Sequence, residues 1–279
     1  MILNVIMALP ILATIMWRES ATNAVARRVR SKDPAKCLSR FVDYPECCTS
    51  EKFTLNPTFW LKGVDFSCVS PWNSGGGKQR AGVAISKRHI VFAKHFPLWK
   101  GVRIQFVGED GGVCPCCVEA TRPIGKTDIM IGLLNAEVTP NIRPARILPS
   151  NYVKFIGNGE NFPIVTFTQN EKALLGSLSP IPTNSTRRSM VCHPPADKML
   201  TAFNALVEIG DSGDPVFLLL GNEAVLIYCL QGGLYGSGPG LHFYRREIQA
   251  AMDALCPGYK LETFDFEQMK AKGGHSLRR

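Results

Sequence analysis

The sequence predicts a mostly β protein, built from antiparallel sheet closed as barrels or sandwiches and followed by one C-terminal helix. From residue 80 onward the chain breaks into many short apolar segments, most of five to eight residues, which are rich in Val, Ile, Phe and Leu. Turn residues separate them, and this spacing is typical of antiparallel sheet rather than of alternating strands and helices. The 279 residues, 45% of them hydrophobic, suffice for one large domain or two small ones.

The first element along the chain is an apolar run over residues 1–17, about the length of a signal-peptide core with its flanks. Small residues follow it and offer cleavage near Ala24 or Ala26. No Lys or Arg precedes the run, and the basic cluster at 27–30 disfavours translocation of the side that follows. Residues 1–26 are therefore predicted as a signal peptide for secretion or a cell-envelope (periplasmic) location, with an uncleaved membrane anchor as the alternative.

The later segment boundaries follow changes in the composition and apolar pattern of the sequence. Residues 27–59 are polar, irregular and cysteine-bearing, and are interpreted as an N-terminal segment outside the main domain. The short apolar segments belong to a main domain over residues 60–258. Within it, residues 244–256 have a helical period of apolar side chains and end at a Pro-Gly pair. Residues 259–279 are predicted as a loose polar tail.

The ten cysteines predict disulfide bonds, because an even and high count after a signal-like segment is typical of an oxidising compartment. The CPCC stretch at 114–117 offers metal ligands as an alternative, but zinc spacing is absent, so neither a metal nor a cofactor is predicted. The net charge of +9 lies largely at chain ends and turns. No zinc-finger, helix-turn-helix or aromatic-basic pattern accompanies it, so no nucleic-acid partner is expected.

One polar stretch, GDSGDP at residues 210–215, precedes an apolar run and carries a serine between two glycines. A plain turn is one interpretation, because Gly, Asp and Ser dominate turns. The other interpretation is a nucleophile. A reactive serine needs a base within hydrogen-bond reach, a group that orients the base, and N–H donors aimed at the developing oxyanion.

Five histidines are candidate bases, and His95 has the most suggestive position, directly after the second of two short strands joined by a turn. Asp128 is the candidate orienting acid, because it opens an alternating apolar strand where a carboxylate can be half-buried beside an imidazole. A turn-capping role is the alternative for Asp128. The other four histidines fit structural or surface roles better: His89, His193, His242 and His275.

His95, Asp128 and Ser212 occur in an order that resembles the catalytic triad of chymotrypsin-like (trypsin-like) serine peptidases. GDSGDP resembles the serine motif Gly-Asp-Ser-Gly-x-Pro of that family, ISKRHIVFAKH its histidine strand, and DIMI its aspartate strand. The resemblance covers roughly residues 60–256. It implies two antiparallel β-barrels of the six-stranded type and a serine endopeptidase that cleaves a protein or peptide substrate through an acyl-enzyme.

The resemblance also implies further site residues. The backbone N–H groups of Gly210 and Ser212 would form the oxyanion hole. Leu206, six residues before the serine, would lie at the floor of the primary pocket, which favours an apolar or small substrate side chain over Lys or Arg. Gly232 and Gly233 would line that pocket and leave it open.

Some residues depart from the family pattern. In the family, the aspartate at the position of Asp211 is buried and paired with a positive group, classically a new N-terminus. Either an activation cleavage therefore lies within 27–80, or an internal Lys, Arg or polar group satisfies this carboxylate. The second option is preferred. Phe96 and Glu208 stand where relatives often have cysteine, and Asp214 replaces a glycine and is expected to add charge beside the nucleophile.

Three other functions compete with an active peptidase. The main alternative is a catalytically inactive, peptidase-like protein of the cell envelope that binds peptides. An α/β-hydrolase esterase is disfavoured, because it requires Gly-x-Ser-x-Gly on a strand-to-helix elbow and a histidine after the serine. An envelope binding module that uses the basic ends is the third.

Overall fold

The computed structural model describes residues 2–42, 53–70, 81–182 and 188–273. The protein is mostly β, with two curled antiparallel sheets and few helices, which confirms the predicted fold class. The helices are Ile2–Val29 (α1), Pro34–Cys37 (α2), Val153–Ile156 (α3), Arg245–Leu255 (α4) and Phe266–Gly273 (α5).

The first sheet has five strands in the order β1-β2-β5-β4-β3. It curls because β4 is long enough to pair with β3 through its first half and with β5 through its second, and its register with β5 shifts between Val118 and Ala120. In the described residues the edge beyond β1 is a single bridge between Val69 and Val83, not a sixth strand. The strands are Val83–Ala84 (β1), His89–Ala93 (β2), Arg103–Val107 (β3), Val113–Pro123 (β4) and Ile129–Leu134 (β5).

The second sheet has six strands in the order β10-β9-β6-β7-β8-β11, all antiparallel. Its central strands β6, β7 and β9 are buried along their whole length, which explains their continuous apolar sequences. The strands are Pro163–Phe167 (β6), Ala173–Leu178 (β7), Ser189–His193 (β8), Pro215–Leu220 (β9), Glu223–Cys229 (β10) and Ser237–Pro239 (β11).

A continuous apolar core joins the two sheets. Phe66, in the chain before the first sheet, contacts two rings of the second sheet at centroid distances of 4.8 Å (Phe167) and 5.4 Å (Phe217). Helix α4 confirms the predicted C-terminal helix to within one residue at each end, and its buried stripe packs against β4 and β5. A site at the border between the two sheets is therefore positioned by elements of both sheets.

The N-terminal helix α1 packs on the second sheet and on α3 through the part that follows its apolar start. Ala21 and Val25 are 3% and 2% exposed, and the ring of Trp17 meets that of Phe266 edge-on at 5.7 Å. The predicted cleavage positions near 24–26 lie within this docked helix, so a cut there would remove a packed element. In the described parts of the chain, no helix combines the length and the apolarity that a bilayer crossing needs.

The region after residue 258 differs from the predicted loose tail. Its described part, 259–273, folds back on the second sheet and forms α5. Phe264 and Phe266 are 3% and 2% exposed, and Phe155 stacks on Phe266 at 4.6 Å. Burial of these two phenylalanine rings stabilises the docked segment. The overall composition of the segment is polar and does not indicate this.

The cysteines also differ from the expectation, because the eight described ones are free thiols and no disulfide bond joins any of them. Cys47 and Cys48 lie outside the described residues. Cys114 and Cys116 share one face of β4, where a hydrogen bond from Cys116 lowers the pKa of the Cys114 thiol to about 6. No group of three or more His, Cys, Asp or Glu within the described ranges is arranged to hold a metal ion.

Candidate active site

His95 and Asp128 meet because β2 and β5 are neighbouring antiparallel strands. Ala93, the last residue of β2, lies opposite Ile129, the first of β5, so the residues just beyond these two strand ends are adjacent. The backbone N–H of His95 donates to Oδ1 of Asp128 at 2.8 Å, and Nδ1 of its ring pairs with Oδ2 at 2.6 Å. These two hydrogen bonds fix the carboxylate against the imidazole.

The Asp128 carboxylate sets the tautomer of the His95 ring. An ionised carboxylate only accepts hydrogen bonds, so Nδ1 carries the proton and Nε2 keeps its lone pair. The hydroxyl of Ser212 lies 2.9 Å from Nε2 and donates to it. The Asp128 side chain is 10% exposed and the His95 side chain 43%, so the acid is shielded while the base faces solvent.

Ser212 lies in a tight turn that directly precedes β9. Gly210 and Gly213 adopt φ values of +114° and +92°, in the region that residues with a Cβ rarely enter. The N–H of Gly213 donates to the carbonyl of Leu230, and the N–H of Leu230 donates to the carbonyl of Asp214, both at 2.8 Å. The turn is therefore tied to the chain that follows β10.

The backbone N–H groups predicted for an oxyanion hole belong to Gly210 and Ser212. Neither donates to an acceptor among the described residues, so both remain open to a bound group. The positive φ of Gly210 belongs to the kind of turn in which backbone N–H groups can form an anion-binding concavity. Both groups therefore meet the first requirement for stabilising an anion beside the nucleophile.

The Asp211 side chain is 1% exposed and is satisfied by backbone donors. Its Oδ1 accepts from the N–H of Gln169 at 3.0 Å and its Oδ2 from the N–H of Glu208 at 2.8 Å. Burial raises the pKa of this carboxyl, and the two hydrogen bonds act in the opposite direction. Of the two options that the sequence left open, the described contacts fit an internal polar partner, although no local sequence signal pointed to Gln169.

The predicted substrate-binding residues come together on one surface beside the serine turn. Gly232 and Gly233 are exposed at the tip of a hairpin closed by Ser237, whose N–H donates to the carbonyl of Gly232 at 2.7 Å. The hairpin lies next to the segment of Leu206, because the N–H of Val207 donates to a carbonyl of this hairpin at 3.0 Å. Leu206 itself is 51% exposed, so it lies on an open surface and not at the floor of a closed pocket.

The other described histidines lie outside this arrangement. His89 is fully buried in β2, where its Nδ1 pairs with Oγ of Ser86 at 2.9 Å. Burial lowers the pKa of His242 to about 4, and His193 lies on β8. His275 is outside the described residues.

Two buried acids lie behind the serine turn, and the sequence alone did not reveal their environment. Asp214 is 4% exposed, and burial together with the nearby negative charges of Asp211 and Glu171 raises its pKa well above the ordinary value. Burial therefore disfavours the charged form that the sequence analysis expected at Asp214. Burial also raises the pKa of Glu171 to about 7, which the positive charge of Arg40 partly offsets.

The raised pKa of Glu171 predicts that Glu171→Gln will stabilise the protein at neutral and alkaline pH. The unfolded carboxyl titrates near pH ~4.3, whereas the folded one titrates at about 7. The folded state therefore retains a proton that the unfolded state loses, and stability falls as pH rises from about 4 to about 7. Glutamine does not ionise, so the variant avoids this loss.

Urea unfolding at about pH 4 and about pH 8 measures the difference, which should be absent at the lower pH and present at the higher. The exposed Glu160→Gln serves as the control. In the wild type, Arg40 also contacts Glu109 at 3.3 Å and the carbonyl of Val107 at 2.9 Å, and Glu171→Gln alters neither partner. Equal midpoints of Glu171→Gln and wild type at the higher pH would contradict this prediction.

No family model matches the chain, and no curated protein matches it at a significant level of similarity. The likeness to serine peptidases consequently depends on the residues of the chain and on the geometry described above.

Proposed function

We propose that the protein is a serine endopeptidase that hydrolyses peptide bonds through Ser212, His95 and Asp128. One observation carries the proposal. The Ser212 hydroxyl lies 2.9 Å from Nε2 of an imidazole whose Nδ1 is 2.6 Å from a shielded carboxylate. These are the distances over which a base accepts a proton from a nucleophile and an acid orients that base.

In the proposed reaction, Oγ of Ser212 attacks the carbonyl carbon of the substrate while its proton passes to Nε2 of His95. The imidazolium then gives this proton to the leaving amine, and an acyl-enzyme remains on Ser212. Water attacks the acyl group by the same steps in reverse order, with His95 again as the base. Asp128 keeps the ring in the correct tautomer and stabilises its charged form.

The negative charge that develops on the substrate carbonyl oxygen would be met by the N–H groups of Gly210 and Ser212. Loss of one such donor typically costs about 3 kcal/mol of transition-state stabilisation. Leu206 and Ile209 just before this turn, and Leu234 in the hairpin bonded to Val207, are exposed apolar residues and favour an apolar residue of a protein or peptide substrate. Secretion or an envelope location remains part of the proposal, with a membrane-anchored form as the alternative.

A fluorophosphonate probe is expected to label wild-type protein at Ser212, because an activated hydroxyl displaces fluoride from phosphorus and forms a stable phosphonyl ester. His95→Ala should abolish labelling, since the hydroxyl then loses its base. Peptide mass spectrometry of the labelled protein identifies the modified residue. His193→Ala is the matched control and should be labelled like the wild type.

The labelling experiment also separates the alternatives. Absence of a phosphonyl adduct on folded wild-type protein would exclude an active serine and would favour an inactive protein that binds peptides. Labelling that survives His95→Ala would show that another group activates the serine, and the proposed triad would fail.

A further inference from the structure

The turn between β6 and β7 lies beside the nucleophile turn because of the strand order in the second sheet. Strand β6 is the antiparallel neighbour of β9, and Thr166 near its end is paired with Val216 near the start of β9. The hairpin that follows β6 therefore meets the segment that precedes β9. Its conformation is well defined, because the N–H of Thr168 donates to the carbonyl of Lys172 at 3.0 Å.

Gln169, in this hairpin, contacts the nucleophile turn twice. Its backbone N–H donates to Oδ1 of Asp211 at 3.0 Å. Its side-chain Nε2 donates to the carbonyl of Ile209 at 3.1 Å. One residue thus holds both the buried acid of the turn and the peptide group that joins Ile209 to Gly210.

The second contact determines where the Gly210 N–H points. In a trans peptide the C=O and the following N–H point in opposite directions. When the Gln169 amide holds the carbonyl of Ile209 on the hairpin side, the N–H of Gly210 faces away from the hairpin. That N–H has no acceptor among the described residues and belongs to the proposed oxyanion hole.

The Ile209–Gly210 peptide is the middle one of a turn, which is closed by the N–H of Asp211 donating to the carbonyl of Glu208 at 3.2 Å. This bond joins the ends of the turn but does not set the middle peptide, whose orientation differs between turn types I and II. Glycine has no Cβ and its backbone rotates more freely than that of other residues. The side chain of Ile209 is fully exposed and gives the peptide no buried anchor. Gly210 and Gln169 also fit each other closely, because a Cβ on Gly210 would lie 2.6 Å from Oε1 of Gln169.

We propose that Gln169 is a positioning residue, which holds the Ile209–Gly210 peptide with its N–H aimed at the oxyanion. The inference rests on the proposed peptidase function. It assigns no contact with the substrate to Gln169, which acts only through the peptide group. Without the amide, the peptide can rotate and present the carbonyl oxygen of Ile209, which repels a negative oxyanion.

The test compares Gln169→Met and Gln169→Glu with the wild type. Both variants keep the length of the side chain and lack its N–H donor, while the backbone N–H of residue 169 remains. For a chromogenic peptide substrate, kcat is expected to fall about 10- to 100-fold while KM stays unchanged. This fall is smaller than the loss in kcat of about 10²- to 10³-fold that follows removal of an oxyanion donor itself. Affinity for a peptide aldehyde should fall in parallel, because its tetrahedral adduct places an oxygen in the oxyanion hole. Gln169→Lys restores a donor and should recover part of the rate.

The control is Gln249→Met in α4, which removes a similar hydrogen bond from Nε2 to a backbone carbonyl, that of Tyr259, at 2.9 Å. It also removes the side-chain contacts of Gln249 with Asp253 and with the N–H of Leu261. This variant should keep kcat and aldehyde affinity. Equal kcat and equal aldehyde affinity for Gln169→Met and wild type would overturn the proposal, as would a matching fall in the control.

A crystal structure of Gln169→Met separates this inference from the proposed function. A rotated Ile209–Gly210 peptide in this variant supports the positioning role. If the wild type neither hydrolyses peptides nor reacts with a fluorophosphonate, only the peptidase function fails, and the positioning role still stands. A peptide that keeps its orientation without the amide overturns the positioning role whatever the activity.

Discussion

Ser212→Ala is expected to lower kcat for peptide hydrolysis by about 10⁶-fold, the size typical for loss of the nucleophile from a serine triad. The methyl group of the introduced alanine has no proton that can pass to Nε2 of His95 and no oxygen that can attack the substrate, so no acyl-enzyme forms. Residual acceleration of about 10³- to 10⁴-fold over water can remain, because the oxyanion donors and substrate binding persist. Steady-state hydrolysis of a chromogenic peptide at saturating concentration measures the loss.

The fold should survive this substitution, because Ser212 is partly exposed and its hydroxyl donates only to an imidazole that faces solvent. Thermal unfolding and circular dichroism check this point. The exposed Ser150→Ala is the matched control and should hydrolyse the peptide like the wild type. A Ser212→Ala variant with wild-type kcat would remove the basis of the peptidase proposal.

Asp128→Asn is expected to lower kcat by about 10⁴-fold, although it changes the shape of the side chain very little. The carbonyl oxygen of the asparagine can accept from the backbone N–H of His95, which leaves the NH₂ group facing Nδ1. Nδ1 must then be the unprotonated acceptor, and the proton moves to Nε2. In this tautomer Nε2 has no lone pair to accept the proton of Ser212.

The rate constant for peptide hydrolysis and the rate of fluorophosphonate labelling should fall together in Asp128→Asn, since both need the same proton transfer. Asp253→Asn is the control, on the exposed face of α4, where the carboxylate accepts from Gln249 at 2.9 Å. A loss in Asp128→Asn no larger than in this control would mean that the acid does not orient the base.

The elements with strong local signals were predictable. The apolar stripe at helical spacing located α4 to within one residue at each end, because helix packing requires that one face be apolar whatever the partner. The short apolar segments indicated an antiparallel β protein for a similar reason, since each strand of such a sheet must bury side chains within a few residues.

The N-terminal helix and the chain after residue 258 were less predictable. Composition describes an average, whereas docking depends on single side chains such as Trp17 and Phe266, whose rings meet at 5.7 Å. The partners of these side chains lie far along the chain, so no local pattern identifies them. The uncharged state favoured for Asp214 has the same origin, because it depends on burial and on neighbours from other segments.

The sequence by itself determined the chemical identity of the candidate site: a serine between glycines that permit a tight turn, a histidine after one strand and an aspartate before another. Only the tertiary structure decided that these groups touch, since the hydrogen bonds of His95 reach 33 residues along the chain to Asp128 and 117 residues to Ser212. It alone also selected Gln169 as the partner of the nucleophile turn. Local propensities act over a few residues, whereas strand order and register, which depend on packing of the whole core, determine which distant strand ends meet.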